Sequence, residues 1–255
     1  METGATLAGL RVLVTRPQRQ AERLSQLIEQ AGGKAVRLPL LAIAPMPPTP
    51  HIQRVLNDAH TWDCWIFTSA NAVRCARELD RGPWPVRLAA IGPATAASLE
   101  AEGLPALAPL LSASSEALLA LPEFSDVDEQ NILIVSGAGG LDVLAPTLRA
   151  RGAKVEVAEV YRRLPLPYDE VRVLSALRGT DVIVITSGEA LQHLVALTPE
   201  ASRPGLLKKH LVAPSARVVE QATQLGFGSA VAVEQMSDAG LLQALENIAR
   251  NIATP

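Results

Sequence analysis

RVLVTRPQRQAERLSQLIEQAGGKAVRLPLL, residues 11–41, aligns without a gap with NILIVSGAGGLDVLAPTLRARGAKVEVAEVY, residues 131–161. In both copies a β-branched apolar run is followed by apolar residues at helical spacing and then by a glycine, Gly32 in the first and Gly152 in the second. This pattern predicts a strand, an amphipathic helix and a stop at the glycine. The chain therefore contains the same βα unit twice.

In each copy the glycine is followed by a long extended stretch, and further βα units come after it. The extended stretches, Lys34–Pro45 and Lys154–Pro165, alternate in polarity and end in proline. WDCWIFTSANAV, residues 62–73, then matches TDVIVITSGEAL, residues 180–191. The later predicted strands are Cys64–Thr68, Leu88–Ile91, a weak Ala106–Pro109, Val182–Thr186, His210–Ala213 and Ala230–Val233. The later predicted helices are Asn71–Leu79, Thr95–Ala101, Ser115–Leu121, Ala190–Leu197, Ala216–Leu225 and Asp238–Ile248. This alternation predicts the α/β class, with two flavodoxin-like domains built on parallel sheets.

The composition agrees with this fold and argues against nucleic-acid and membrane partners. Hydrophobic residues make up 48% of the chain and aromatic residues 3%, a balance typical of parallel strands covered by Ala- and Leu-rich helices. The formal charge of −3, with no Lys/Arg run, argues against a nucleic-acid partner. The start METGATLAG lacks a basic segment and an apolar core, and no run approaches the ~18 apolar residues of a membrane span. We therefore expect a cytoplasmic protein with no membrane partner.

Residues able to hold a metal or a cofactor are scarce. Cys64 and Cys75 lie in or beside apolar stretches without CxxC spacing, which predicts two buried, reduced thiols. The four histidines show no ligand spacing. VSGAGG, residues 135–140, lacks both the Walker lysine and the spaced glycines of a nucleotide-binding loop. We expect neither a metal nor a cofactor.

Small hydroxyl residues and glycines recur where predicted strands meet helices. At the carboxyl ends of parallel strands, helix N-termini present unpaired N–H groups and a partial positive charge. One such Ser or Thr is most often a helix N-cap, but recurrence in both domains also fits two rows of donors that face a large polyanion across a cleft. The candidates with this placement are Ser69, Ala70, Asn71, Thr95, Ser187, Gly188 and Ser215.

Tyr161 and Arg16 have two interpretations each, and two further arginines lie beside Tyr161. Tyr161, on the second extended stretch, either buries its ring or points its hydroxyl into the site as a proton donor. Arg16 either caps a carbonyl or makes a surface ion pair, or it meets a carboxylate in bidentate fashion at the end of the first strand. Arg162 and Arg163 follow Tyr161 on a strand, so at most one of them faces the site.

Over essentially its whole length the chain resembles the uroporphyrinogen-III synthase family. The matching blocks are VTRP at Val14, FTSANAV at Phe67, IGPATA at Ile91, RGAKVEVAEVYRR at Arg151, ITSGEAL at Ile185 and Ser-Asp at Ser237. The resemblance implies one domain formed by residues 1–38 and 166–255 and a second formed by residues 41–163. It also implies a two-stranded connector near residues 36–46 and 155–165, with the active site in the cleft between the domains.

The implied activity is that of a cyclising lyase that needs no cofactor. Hydroxymethylbilane, a polycarboxylate, closes to uroporphyrinogen III with loss of water, and ring D is inverted through a spirocyclic pyrrolenine. By position, Tyr161 matches the family tyrosine proposed to assist departure of the hydroxyl. The polar residues matched to the cleft are Ser69, Thr95, Ser187 and Ser215, and the carboxylate-binding amides are those of Ala70, Asn71 and Gly188. We expect a monomer. The alternative is a non-catalytic tetrapyrrole- or anion-binding relative with the same fold.

The chain departs from the family pattern at one loop. Many bacterial members read close to RGxGGR after the strand that ends near Val135, whereas residues 136–141 here read SGAGGL, without either basic residue. Binding of the substrate carboxylates is then expected to be weaker or to fall to Arg16 and to the pair Arg162 and Arg163.

Overall fold

Strands and helices alternate along the chain in a computed structural model. It describes residues 6–80, 82–84, 87–110, 114–140, 143–233 and 236–253. The strands found within these ranges are β1 (Arg11–Val14), β2 (Lys34–Arg37), β3 (Leu41–Pro45), β4 (Cys64–Phe67), β5 (Leu88–Ala90), β6 (Asn131–Gly137), β7 (Lys154–Pro165), β8 (Val182–Val184), β9 (His210–Ala213) and β10 (Ser229–Ala232). The α-helices found there are α1 (Gln18–Gln30), α2 (Pro50–Asn57), α3 (Ala70–Leu79), α4 (Pro93–Glu100), α5 (Ser115–Leu119), α6 (Leu144–Ala150), α7 (Glu170–Leu177), α8 (Gly188–Leu197), α9 (Arg203–Leu207), α10 (Ala216–Gln224) and α11 (Asp238–Ala253).

The chain divides into two compact units. Domain 1 consists of Met1–Ala42 together with Leu164–Pro255, and domain 2 consists of Ile43–Arg163. The chain therefore passes from one domain to the other twice, once within β3 and once near the end of β7.

Domain 1 is built on one parallel sheet with the strand order β10-β9-β8-β1-β2. Alternate residues of the strands enter separate hydrophobic clusters, because successive side chains of a strand point to opposite faces. Leu13 belongs to the cluster that contains residues of α7, α8 and α10, whereas Val12 and Val14 belong to the cluster that contains residues of α1 and α11. The sheet is thus covered by helices on both faces, as predicted for a doubly wound α/β domain.

Domain 2 has the strand order β3-β7-β6-β4-β5, and the neighbouring pairs β7-β6, β6-β4 and β4-β5 are parallel. Trp65 and Phe67 enter one cluster with α2 and α3, and Cys64 and Ile66 enter another with α5 and α6. The two sheets, both dominated by parallel strand pairs, confirm the predicted α/β class.

The sequence repeat is preserved in the structure. Arg11 pairs with Lys34 in domain 1, and Asn131 pairs with Lys154 at the equivalent place in domain 2. After α1 and α6 the chain turns through Gly32 and Gly152, with φ of 84° and 89°. These are left-handed conformations that glycine adopts without a steric penalty.

Three details of the sequence-based assignment are wrong. The stretch Lys34–Pro45 is not one strand but β2 and β3, which lie in different sheets and are separated at Pro39, a residue that cannot donate to a ladder. The predicted strand Ala106–Pro109 reduces to a single bridge between Ala89 and Leu107, because Pro105 and Pro109 interrupt it on both sides. The helices α2, α7 and α9 were not predicted.

Candidate active site

Four helices of domain 1 begin at the same edge of its sheet. The register pairs Val14 with Val184 and Val184 with Val212, so the carboxyl ends of β1, β8 and β9 are level. The helices α1, α8, α10 and α11 begin a few residues after β1, β8, β9 and β10. The first N–H groups of an α-helix lack an acceptor within the helix and carry the positive end of its dipole, so this edge favours anions.

The predicted residues Ser187, Gly188 and Ser215 lie at two of these helix starts. The Oγ of Ser187 accepts a hydrogen bond of 3.1 Å from the N–H of Ala190, which makes Ser187 the N-cap of α8, and Gly188 is the first helical residue. Ser215 stands at the N-cap position of α10, but its exposed side chain makes no capping hydrogen bond. Ser187 is thus held by the helix that it caps, whereas the hydroxyl of Ser215 makes no such bond.

Arg16 follows β1 and forms an ion pair with Asp238 in the first turn of α11. The two side chains are 13% and 23% exposed, so the pair is largely buried. Asp238 Oδ2 also lies 3.6 Å from the Nε of Arg23, whose side chain is 82% exposed. Within the part of the chain that the structure describes, Arg16 Nε is buried without a hydrogen-bond partner. Arg16 therefore already has one carboxylate partner, and Asp238 is a contact that the sequence did not predict.

In domain 2, Ser69 and Tyr161 come together at the carboxyl edge of the sheet. Ser69 follows β4 and caps α3, because its Oγ accepts a hydrogen bond of 3.1 Å from the N–H of Ala72. The same Oγ lies 3.1 Å from the hydroxyl oxygen of Tyr161. The predicted residues Ala70 and Asn71 form the first turn of α3 and are half-buried. One serine thus joins the start of a helix to the phenol.

Tyr161 lies at an irregularity of β7. Ser136 of β6 pairs with Glu159, but the next residue, Gly137, pairs with Tyr161, so Val160 is skipped. The ring is 5% exposed and packs in the hydrophobic cluster of α2, α3 and β4. The ring of Tyr161 is therefore buried and its hydroxyl is hydrogen-bonded at the edge of the sheet, whereas its role as a proton donor stays a prediction.

The other predicted residues of domain 2 differ in exposure. Thr95 lies in the first turn of α4 and is 4% exposed. Arg162 is exposed, whereas Arg163 is half-buried and its Nη2 lies 3.5 Å from the carbonyl oxygen of Ala138. The loop that departs from the family pattern is described as far as Gly140, so Leu141 lies outside the described residues.

The two thiols are buried, and the described residues form no cluster of metal ligands. Cys64 and Cys75 are both free and buried. Burial raises the pKa of Cys64 to about 12 and also raises that of Cys75. Among the described residues, no three His, Cys, Asp or Glu side chains lie close enough together to hold a metal ion. None of the helices in the same ranges has the length and apolar character of a membrane-spanning segment.

A cavity of about 640 Å³ lies at the opposite edge of the domain 2 sheet, near the amino ends of β4 and β5. Several of its polar side chains already have protein partners: Trp84 Nε1 donates to Asp80 Oδ2 over 3.1 Å, and Arg87 donates to Gln130 Oε1 over 3.0 Å. The carboxyl edge, where Ser69 and Tyr161 meet, is therefore the better candidate for chemistry.

Comparisons with known proteins agree on one family. The model of the family described as uroporphyrinogen-III synthase HemD matches residues 22–243. The uroporphyrinogen-III synthase of Salmonella typhimurium is 34% identical over 244 residues, which cover 92% of this chain and 99% of the relative. That of Escherichia coli is 34% identical over 246 residues, with the same coverage.

Two solved structures share the fold. A mutant uroporphyrinogen III synthase from the extremely thermophilic bacterium Thermus thermophilus has a TM-score of 0.62 and 22% identity, and the match covers 95% of this chain and 99% of that one. The uroporphyrinogen-III synthetase of Helicobacter pylori also has a TM-score of 0.62, with 14% identity over 94% of this chain and 99% of that one.

Proposed function

The chain belongs to the uroporphyrinogen-III synthase HemD family, and we infer from this membership that it closes hydroxymethylbilane to uroporphyrinogen III on the route to porphyrins and heme. One molecule of water is lost and ring D is inverted, so the enzyme is a cyclising lyase. The observation that best supports a catalytic role is the hydroxyl of Tyr161, which lies 3.1 Å from Ser69 Oγ beside the first turn of α3.

The first chemical step is loss of the hydroxyl group from ring A, which requires a proton if the group is to leave as water. Ser69 Oγ accepts the N–H of Ala72, so the hydroxyl proton of Ser69 remains available to Tyr161. A serine hydroxyl has one donor and two acceptor positions. When Ser69 donates to the phenolic oxygen, the phenolic proton is left to point to the departing hydroxyl. Tyr161 then acts as the general acid.

The remaining steps rearrange carbon–carbon bonds and return the proton. The electron-poor azafulvene left on ring A is attacked by the substituted carbon of ring D, which gives the spirocyclic pyrrolenine. This intermediate fragments and closes again with ring D reversed. The terminal carbon of ring D loses a proton as the macrocycle forms, and that proton restores the phenol of Tyr161. Overall the bilane gives uroporphyrinogen III and water, with no external oxidant or reductant.

The acetate and propionate groups of the bilane would bind at the helix starts of both domains. The amide groups of Ala70 in domain 2 and Gly188 in domain 1 are first-turn donors, which suit carboxylates. Ser215 supports the same role, because its exposed hydroxyl makes no capping bond.

Arg16 would add charge, although it shares its guanidinium with Asp238. Thr95 would line the site from the first turn of α4.

Selection of ring D is a matter of geometry. The bilane also closes without an enzyme, to the unrearranged type I isomer, so the protein must favour attack through the substituted carbon of ring D. Holding reacting groups in the required orientation can lower a barrier by several kcal/mol, on the order of 7–11 in well-oriented systems. Amide donors on fixed helices supply that orientation.

The proposed function is tested by incubating the purified full-length chain with freshly generated hydroxymethylbilane and separating the type I and type III products. We expect type III product to form faster than the spontaneous closure in buffer. Type I product alone, at the rate of the enzyme-free control, would contradict catalysis. If quenching of the tryptophan fluorescence then still reports bilane binding, the non-catalytic binding protein is the correct alternative.

We further propose that the protein acts as a monomer in the cytoplasm. Its two cysteines are free and buried rather than paired, which suits a reducing compartment. Light scattering of the purified chain should give the mass of one copy, 27.0 kDa. A mass twice as large, or recovery of the native protein in a fraction outside the cytoplasm, would contradict the proposal.

A further inference from the structure

We propose that Gly137 and the bulge in β7 position the hydroxyl of Tyr161, so that Gly137 is a positioning residue for the reaction. The catalytic part of this inference rests on the proposed function, whereas the packing part does not. It is carried by three observations in domain 2: the skipped residue Val160, the close approach of the ring to Gly137, and the hydrogen bond to Ser69.

The bulge determines where the ring points. In a regular strand, neighbouring residues point to opposite faces of the sheet. Here Val160 and Tyr161 are 0% and 5% exposed, and both belong to the same hydrophobic cluster. The extra residue makes this possible, since a bulge re-aims the side chain that follows it. The N–H of Ala138 donates to the carbonyl oxygen of Tyr161 over 2.8 Å, which fixes the backbone immediately after the bulge.

Gly137 leaves the space that the ring occupies. A Cβ atom at this position would lie 2.7 Å from Cε2 and 2.8 Å from the hydroxyl oxygen of Tyr161, and it would collide with Cζ. The φ angle of Gly137 is outside the left-handed region, so other residues could adopt its backbone conformation. The three atoms nearest to such a Cβ all belong to Tyr161, so the tyrosine side chain is what excludes a side chain here.

The ring cannot yield without losing its hydrogen bond. It is packed among buried residues and lies against Gly137. A methyl group at position 137 would therefore push the phenolic oxygen away from Ser69 Oγ, which it now approaches to 3.1 Å. Misplacement of a catalytic group by about 1 Å can reduce a rate roughly 10²-fold. Gly137 acts on the reaction through Tyr161 and needs no contact with the substrate.

The kinetic test compares Gly137→Ala with Gly140→Ala. Both variants add one methyl group near the carboxyl end of β6, but a Cβ at Gly140 meets only the carbonyl oxygen of Gly137, at an ordinary 3.6 Å. We expect Gly137→Ala to lower kcat about tenfold or more with KM close to that of the wild type, and Gly140→Ala to change neither. In a Tyr161→Phe background, Gly137→Ala should lower kcat little further. Equal effects of the two alanines, or an unchanged kcat in Gly137→Ala, would overturn the proposal.

A spectroscopic test follows the ring directly. The chain has two tyrosines, so protein labelled with 3-fluorotyrosine gives two fluorine resonances, and Tyr168→Phe assigns them. We expect Gly137→Ala to move the Tyr161 resonance and to leave that of Tyr168 in place. An unmoved Tyr161 resonance overturns the packing argument, whereas failure of the proposed function would show as a wild-type chain that makes no type III product.

A third pair of variants keeps the inference testable if Gly137→Ala folds poorly. Replacing Tyr161 by Ala empties the space that a methyl group at position 137 would enter. Gly137→Ala should therefore lower the Tm of the wild type but leave the Tm of Tyr161→Ala nearly unchanged. An equal loss in both backgrounds would mean that the ring is not what excludes the side chain, and would overturn the proposal.

Discussion

The two domains contain the same repeat but use it differently at the end of its first strand. In domain 1 the chain leaves β1 through Arg16, which is held by an ion pair with Asp238. In domain 2 the equivalent exit from β6 runs through Ser136 and Gly137, and the latter is covered by the ring of Tyr161. The end of the strand is thus followed by an ion-paired arginine in domain 1 and covered by an aromatic ring in domain 2.

The serine caps of the two domains also differ in their contacts. Ser187 and Ser69 occupy matching positions, and each accepts a hydrogen bond of 3.1 Å from the third helical N–H. Only Ser69 also has a phenolic hydroxyl at hydrogen-bond distance among the described residues. The cause is the strand two positions away in each sheet, since β2 ends at Arg37 whereas β7 continues through Tyr161. On the proposed function, proton transfer belongs to domain 2 and domain 1 contributes binding.

The largest expected effect is on kcat, and it distinguishes Tyr161 of domain 2 from Tyr168 of domain 1. Tyr161→Phe removes the proposed general acid and should lower kcat about tenfold or more without unfolding the chain. Tyr168→Phe is the matched control, because its hydroxyl donates to the carbonyl oxygen of Pro39 over 2.8 Å and has no proposed role in the reaction. The rates of type III formation by the two variants test this prediction. A Tyr161→Phe enzyme with wild-type kcat would leave that residue only its packing role.

The next effect is a loss of stability when the ion pair between Arg16 and Asp238 in domain 1 is removed. Asp238→Ala leaves Arg16 largely buried without its partner and should destabilise the docking of α11 by about 2 kcal/mol, less than for a fully buried pair. Hydrogen exchange measured by mass spectrometry should show α11 amides exchanging roughly 30-fold faster, since about 1.4 kcal/mol corresponds to a factor of ten. Arg23→Ala removes the exposed neighbour at 3.6 Å and should change little. Unaltered exchange in Asp238→Ala would show that the pair does not hold the helix.

The sequence predicts what depends on local periodicity and turns. His210–Ala213 is a strand with the predicted bounds, and Gly32 and Gly152 follow their helices in left-handed conformations. The contacts that shape the site are not local. Arg16 meets Asp238 across 222 positions, and no spacing rule connects them. Tyr161 reaches Ser69 only because a bulge re-aims it, and a bulge adds one residue without leaving a clear pattern in the sequence.

A smaller effect compares the two serine caps. Ser69→Ala and Ser187→Ala should each lower the stability of their domain by about 1 kcal/mol, the usual effect of losing an N-cap. Only Ser69→Ala should also reduce kcat, by several-fold, because Tyr161 loses the donor that orients its proton. Ser187→Ala should raise KM instead. Steady-state kinetics of the two variants measure this difference, and a matching loss of kcat in both would remove the distinction between the domains.

The smallest expected effect uses the fact that both cysteines and all three tryptophans lie in domain 2. Burial raises the pKa of Cys64 from 9.0 to about 12. Between these values the unfolded thiol has ionised while the folded one keeps its proton, so the stability of domain 2 must fall as the pH rises above 9. From pH 8 to pH 9.5 this single group should cost about 0.8 kcal/mol. Urea unfolding followed by tryptophan fluorescence measures the loss, and Cys64→Ala should show a shallower pH dependence by that amount. An identical pH dependence in both proteins would mean that the thiol is not shielded from water, and that the Cys64 face of the domain 2 sheet opens more readily than its packing indicates.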